Sequence, residues 1–372
     1  MMTAYRQSLA HGHLGIALLH IERAHQDNCS WQTVHRQLAA IGPLIDGDEA
    51  SLFLGAPAMA YVLHQAAADS DRYAGAVHAL DRIVAEHTRR RLTAAHARID
   101  RSEPTSFAEY DLFRGLTGLG ALLLRRGDRQ LGVLRGVLEY LVRLTEPLPG
   151  TRLGWWVAHS PVNLGSPTPG GHANAGLAHG ITGPLVLLSL AELRGVTVPG
   201  QEEAIRRICQ WLDQIRVSDH QGVHWPRWTT ATTPFHQHSD TPSWCYGTPG
   251  IARAQQLAAL ALGDADRKRM AERALLSCLA DAHQLDRLTG QGLCHGVGGL
   301  LRTVQRVAQD ADESAAFTRF LPQLSERFLA AETPTEAGFL EGAAGAALAF
   351  EGVKADEDET AGGDWDACLL LV

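Results

Sequence analysis

Apolar and polar positions are organised on two scales along this chain. On the longer scale a Gly-x-x-Gly signature recurs seven times, once in weakened form: Gly12-His13-Leu14-Gly15, Gly55-Ala56-Pro57-Ala58 (the weak copy), Gly115-Leu116-Thr117-Gly118, Gly180-Ile181-Thr182-Gly183, Gly247-Thr248-Pro249-Gly250, Gly296-Val297-Gly298-Gly299 and Gly342-Ala343-Ala344-Gly345. Each copy runs into an Ala- and Leu-rich stretch such as Leu119 to Leu124 or Pro184 to Leu190. A segment apolar on all sides reads as a buried helix, and glycine at its start lets neighbouring backbone approach closely. On the shorter scale, the intervening segments have helical periodicity. In 202–217 the apolar Ile205, Ile208, Leu212 and Ile215 fall three and four apart, with Arg206, Arg207, Asp213 and Gln214 largely on the other side. Segments 128–145, 264–283 and 314–331 read the same way, as outer amphipathic helices.

Buried and amphipathic helices therefore alternate, which is the signature of an internal repeat. Strand signals are sparse, because the Gly- and Pro-rich connections 147–171 and 222–241 carry aromatics without a sustained period of two. The fold class expected is all-α. Seven inner helices inside about seven outer ones close into a double ring, an α/α toroid, and periodicity alone leaves an open solenoid as the alternative. The first motif begins after eleven residues, too few for an outer helix. The ring is thus expected to lack its first outer helix, with the gap filled by segment 364–372 or a partner, unless a longer natural start precedes Met1.

In a closed ring the residues just before the inner helices gather at one end of the axis. Through the seven repeats the residue ahead of the first glycine is His11, Leu54, Arg114, His179, Tyr246, His295 and Glu341, and the one before that includes Cys245 and Cys294. Packing alone calls for small or apolar residues there, so polar and metal-binding types are informative. Cys245 and Cys294 stand at equivalent places in two repeats, and two thiolates with one imidazole make a zinc site whose fourth position is open.

Composition narrows the classes. The chain has 372 residues, 45% hydrophobic and 20% charged, enough for a large core. A net charge of −8 and a pI near 6.1 argue against sequence-independent nucleic-acid binding, which needs Lys and Arg against phosphates. The N-terminus has no apolar signal segment, and no apolar run reaches the roughly 20 residues that span a bilayer, so a cytoplasmic protein is expected. Six cysteines in such a chain favour free thiols and metal ligands over disulfides. Residues 1–353 read as one domain. Residues 354–372, rich in Asp and Glu, read as an acidic, solvated tail.

Four motifs in order carry a resemblance: Tyr110-Asp111-x-x-x-Gly115, Ala178-His179-Gly180-x-x-Gly183, Trp244-Cys245-Tyr246-Gly247-x-Pro249-Gly250 and Cys294-His295-Gly296. Together they resemble the lanthionine synthetase C-like family, the cyclases of lanthipeptide biosynthesis, over nearly the whole chain. The resemblance implies a toroid of seven inner and seven outer helices with one catalytic zinc per chain. It also implies Cys245, Cys294 and His295 as metal ligands, with His179, Asp111 and Tyr246 as acid/base or orienting groups. The implied reaction adds a peptide cysteine thiol to a dehydroalanine or dehydrobutyrine of the same chain, giving a thioether ring. The partner implied is a dehydrated ribosomal precursor peptide, with a dehydratase and a transporter as members of a biosynthetic complex. The sequence departs from the family at Thr241, four residues before the first of the cysteines, where an arginine is usual; Arg227 and Arg114 are the arginines that could stand in.

Each residue also has a plainer reading. A lone buried cysteine behaves as a small hydrophobe; His179 could bond a backbone carbonyl, Asp111 could cap the helix that follows, and Tyr246 could pack. His11, His159, His172, His220, His224, His236 and His238 are expected to be structural, with the loop His172-Ala173-Asn174 flanking the cavity. Cys209 and Cys278 belong to apolar faces of outer helices and are excluded from the metal site. Two other functions fit the same residues: addition of a small thiol such as glutathione to dehydroamino acids, and a noncatalytic zinc-containing peptide-binding scaffold.

Overall fold

The computed structural model describes residues 2–68, 70–148, 153–160, 167–219, 222–230, 241–355 and 363–372. Among them a helix follows every glycine motif: α1 (His13–His25), α2 (Ala56–Ala67), α3 (Leu116–Arg125), α4 (Thr182–Leu193), α5 (Thr248–Leu262), α6 (Val297–Asp310) and α7 (Ala343–Ala355). These are the inner helices, and α3 and α4 show why. Every residue from Leu116 to Leu124, and from Thr182 to Ala191, is buried. Between them run the helices Trp31–Ala39, Ala74–Asp100, Leu131–Leu144, Gln201–Ile215, Ala265–Ala280 and Leu321–Ala330. Gln201–Ile215 is two-faced, with Ile205, Ile208, Leu212 and Ile215 buried and Glu202, Glu203, Arg206 and Gln210 exposed.

The chain divides into two compact units, residues 1–87 with 288–372 and residues 88–287. Within the first, α6 packs on α7, α7 on α1 and α1 on α2; within the second, α3 packs on α4 and α4 on α5. Within each unit, inner helices that follow one another in sequence pack together, and in the first unit the last of them, α7, also packs on the first, α1. Among the described residues no helix is long and apolar enough to cross a membrane.

The glycines do the work their pattern assigns them. Gly247 has φ of 92°, a backbone that an L side chain rarely adopts, and it turns the chain from the Ser243–Tyr246 loop into α5. Three residues later, a Cβ on Gly250 would lie 2.1 Å from the Trp244 carbonyl oxygen. A backbone oxygen cannot swing aside as a side chain can. Gly250→Ala should therefore push the Trp244-Cys245 loop off the helix and cost about 1 to 3 kcal/mol of stability, measured by denaturant unfolding against the wild-type chain.

Two expectations are corrected. The connections read as strandless contain or adjoin strands: β1 (Val157–His159) and β2 (Pro167–Asn174) in and just past the first, and β3 (Val217–Asp219), β4 (Gly222–His224) and β5 (Trp228–Thr230) just before and within the second. They pair antiparallel in a three-stranded sheet of order β1-β2-β5 and a two-stranded one of β3 and β4. Four of the five strands have only three residues, too few for a period of two to register. His172-Ala173-Asn174 is accordingly the end of a strand and not a loop. The second correction concerns the solvated tail. Residues 356–362 lie outside the described residues, but Trp365 to Leu371 are buried.

That C-terminal segment is held by a buried ion cluster. The Asp366 carboxylate accepts hydrogen bonds from Arg302 Nε (2.8 Å) and from Arg306 Nε (2.8 Å) and Nη2 (2.7 Å), all from α6. Burial alone would raise the pKa of Asp366, yet the two guanidiniums overcome it and hold the carboxyl well below the usual carboxylate range. The Tyr61 hydroxyl of α2 donates to the Trp365 carbonyl at 2.8 Å and accepts from the Cys368 N–H at 3.2 Å. At the other end of the chain, a five-residue helix, Met2–Arg6, stands ahead of α1. Leu14, Leu18 and Leu19 of α1 are nevertheless buried, since α1 packs against Trp31–Ala39, α2 and α7.

Candidate functional site

In the unit of residues 88–287, Asp111 and His179 meet. The Asp111 carboxylate is fully buried and ties together two jobs. Its Oδ1 accepts from the backbone N–H of Arg114 (2.6 Å) and Gly115 (2.9 Å), capping the turn that opens α3. Its Oδ2 lies 2.7 Å from His179 Nδ1. An ionised carboxylate can only accept, so Nδ1 carries the hydrogen and Nε2 the lone pair of the neutral ring. The ring is clamped between Phe113 (centroids 4.9 Å apart) and Phe107 (5.8 Å), both stacked, and the Tyr110 hydroxyl donates to the His179 carbonyl at 3.3 Å. The His179 side chain keeps 35% of its surface exposed. A core histidine bonded to a backbone carbonyl is therefore not what the structure contains; a half-open histidine oriented by a buried carboxylate is.

The Ser243–Tyr246 loop belongs to the same unit. Ser243 donates its N–H to the Tyr246 carbonyl at 3.0 Å, and its Oγ lies 3.5 Å from the buried Cys245 Sγ. Cys245 accepts at its carbonyl from the Leu177 N–H (3.0 Å), which links this loop to the Ala178-His179 one. The Tyr246 ring lies over Gly176, where a Cβ would come within 2.6 Å of it. Its hydroxyl accepts from Asn174 Nδ2 at 3.2 Å, and the Arg227 guanidinium sits over the ring, 5.1 Å from its centroid. Of the two arginines considered against Thr241, it is Arg227 that stands at Tyr246, whereas Arg114 contributes its backbone N–H to Asp111.

In the unit of residues 1–87 and 288–372, Cys294 and His295 open α6. Their placement comes from backbone pairing, with the N–H groups of Leu293 (2.7 Å) and Cys294 (3.1 Å) both donating to the Leu340 carbonyl. Cys294 Sγ and His295 Nε2 are 4.0 Å apart. Ligands of one tetrahedral zinc, at about 2.3 Å for sulfur and about 2.0 Å for nitrogen, stand about 3.6 Å from each other. The pair is thus spaced to share an ion, and thiol plus imidazole is the donor chemistry zinc prefers. His295 Nδ1 lies 2.9 Å from Glu341 Oε1.

The cysteines excluded earlier are chemically unlike these. Burial pushes the Cys209 thiol up to about 11 and the Cys278 thiol up to about 12, so both stay protonated. His159 accepts from the Phe107 N–H at Nε2 (3.3 Å) and pairs Nδ1 with the Ser160 carbonyl (3.1 Å), a structural histidine as expected. Burial first, and after it the neighbouring His159 ring, pushes His172 down to about 4 and keeps it neutral. His220, His236 and His238 lie outside the described residues. Sequence reasoning named Arg227 as a stand-in for the arginine missing at Thr241 and placed Asn174 beside the cavity, but it gave no role to Glu341 or to the two phenylalanines around His179. Only Glu341 had a usable signal, since it fills the same place before a glycine as His179 and His295.

These features match a known group over their full extent. The model of the family described as "Lanthionine synthetase C-like protein" matches residues 3–370, and the chain belongs to the lanthionine synthetase C-like family. It is 24% identical over 260 residues, 68% of its own length, to the "Nisin biosynthesis protein NisC" of Lactococcus lactis subsp. lactis, and the match spans 60% of that relative. Among solved structures, one titled "Nisin cyclase" superposes with a TM-score of 0.83 at 22% identity, covering 99% of this chain and 92% of the other. The fold is accordingly the one expected, the all-α, α/α-toroid class.

Proposed function

We propose that this protein is a zinc-dependent lanthipeptide cyclase. It adds cysteine thiols of a dehydrated ribosomal precursor peptide to dehydroalanine or dehydrobutyrine residues of the same peptide, forming (methyl)lanthionine rings. The observation that carries the reading is the Asp111–His179 pair, a half-open imidazole oriented at 2.7 Å by a buried carboxylate, in a chain that also carries the Cys245 and Cys294-His295 motifs of the family. The reading takes Cys245, Cys294 and His295 as the ligands of one zinc per chain. A zinc held by these two thiols and one imidazole would supply Lewis-acid chemistry, lowering the pKa of a substrate thiol toward neutrality.

The remaining work falls to the protein's own groups. A free thiol near pKa 8.5 is about 3% ionised at pH 7, so full ionisation is worth roughly thirty-fold and about 2 kcal/mol. Larger gains must come from holding sulfur and alkene carbon in line. Addition forms the S–Cβ bond while the alkene π pair moves toward the neighbouring carbonyl as an enolate, and Cα then needs one proton. His179 delivers it from Nε2, because the ring can hold a second proton there while Asp111 faces the positive charge across Nδ1. Tyr246, fixed by Asn174 and Arg227, presents its phenol to the same intermediate. The partners follow from this reading: the precursor peptide, and a dehydratase and a transporter working with the cyclase in the cytoplasm.

The test joins metal to product. Purified protein should hold one equivalent of zinc by metal analysis, lose ring formation on a dehydrated precursor when treated with a strong chelator, and regain it on zinc addition. Mass spectrometry after thiol alkylation counts the rings. A folded preparation that stays metal-free in excess zinc would overturn the assignment. Ring formation untouched by chelation would do so too, and preference for added glutathione over the peptide's own cysteines would transfer it to the small-thiol reaction.

A further inference from the structure

The geometry points to Glu341 as the positioning residue that fixes His295 as a metal ligand, an inference that rests on the zinc reading above. Two separate groups of His295 converge on one carboxylate oxygen. Its backbone N–H donates to Glu341 Oε1 at 2.9 Å, and its Nδ1 lies 2.9 Å from the same atom. The first contact fixes where the residue sits, the second how its ring is turned. Since the carboxylate only accepts, the hydrogen of the neutral ring must be on Nδ1, which leaves the lone pair on Nε2. Nε2 is the nitrogen 4.0 Å from Cys294 Sγ, so the same bond that turns the ring also selects the nitrogen that faces the thiol.

The carboxylate is itself seated. A Cβ on Gly292 would lie 2.0 Å from Glu341 Oε2, so the absence of a side chain there makes the room that the second oxygen occupies. The Leu340 carbonyl, one residue earlier, receives the N–H groups of Leu293 and Cys294, and the two strands of chain are thereby locked side by side. Glu341 is thus placed by the same backbone contacts that place the ligands. Carboxylates on the second nitrogen of a ligating histidine are a recurrent device, and their removal typically lowers metal affinity 10- to 100-fold. With the side chains of His295 and Glu341 57% and 42% exposed, water competes for both, and the effect should fall at the lower end.

The experiment measures zinc affinity by competition with a chromophoric chelator, using the full chain and its Glu341→Ala and Glu341→Gln variants. Glu341→Ala should weaken binding about 10-fold or more, while Glu341→Gln, which can still accept from Nδ1–H, should recover most of the loss. Unchanged affinity in Glu341→Ala would overturn the inference. So would an equal loss in Glu341→Gln, which would mean that the charge or a direct metal bond matters and not the ring's orientation. A readout without metal separates this from the zinc reading. Long-range proton–nitrogen NMR on the metal-free protein should show His295 as the Nδ1–H tautomer in the wild-type chain and as a mixture in Glu341→Ala. An identical tautomer in both would reject Glu341's role, whereas a wild-type chain that binds no zinc yet shows the tautomer shift would reject the zinc reading alone.

Discussion

His179→Ala should retain a full equivalent of zinc and cyclise a dehydrated precursor about 10²- to 10⁴-fold more slowly, the usual worth of a positioned proton donor. The separation of metal from rate follows from the site: His179 leans on Asp111, Phe107 and Phe113, none of which is a proposed ligand. Residual product should carry mixed stereochemistry at Cα, because water would then protonate the enolate from either face. Asp111→Asn should have much of the same rate effect with a stability cost as well, since the buried carboxylate also caps the turn into α3 through Arg114 and Gly115. Zinc analysis, single-turnover cyclisation and chiral analysis of the hydrolysed rings check these outcomes. Loss of zinc from His179→Ala would make it a ligand, and an undiminished rate would return it to a packing role.

The largest effect on stability should come from Asp366→Ala. It leaves Arg302 and Arg306, both deeply buried, without the carboxylate between them, and stranding buried charge of this kind costs about 3 to 5 kcal/mol. The same cluster predicts a direction with pH. The folded-state pKa of Asp366 is depressed relative to about 3.9 for an unfolded aspartate, so its contribution is complete above that value and is lost as pH falls from about 4 down through the lower folded value. Denaturant unfolding at pH 7 and across the acid range measures both. A variant as stable as the wild-type chain at pH 7 would show that the Asp366 ion cluster adds nothing beyond the apolar contacts of Trp365 to Leu371.

How far the sequence disclosed this molecule depended on whether the physics was local. Glycine followed by an all-round apolar run marks a buried helix N-terminus within a dozen residues, so all seven inner helices were legible, and the places ahead of those glycines gave His179, Tyr246, Cys245, Cys294 and His295 as residues to inspect, while Asp111 came only from the family resemblance. The sheet was not legible. Strands of three residues are defined by partners far along the chain, as when His172 pairs with Thr230. The C-terminal segment misled for a different reason: a run of acidic residues reads as solvated, and nothing local shows that Arg302 and Arg306, some sixty residues earlier, neutralise the last aspartate. Glu341 was visible as a repeat position, but its bond to His295 spans 46 residues and needed coordinates.

The state of the buried thiols has a further consequence under the proposed reaction. Dehydroalanine is an electrophile that any thiolate will alkylate itself upon, so a protein that processes it risks becoming its own product. Cys209 and Cys278, held protonated up to about 11 and about 12, are nucleophiles only in formula and cannot be trapped this way. What burial in the outer helices gives these two thiols is therefore immunity: their sulfur is kept inert where no chemistry is wanted, so that reactivity is a property of place and not of composition.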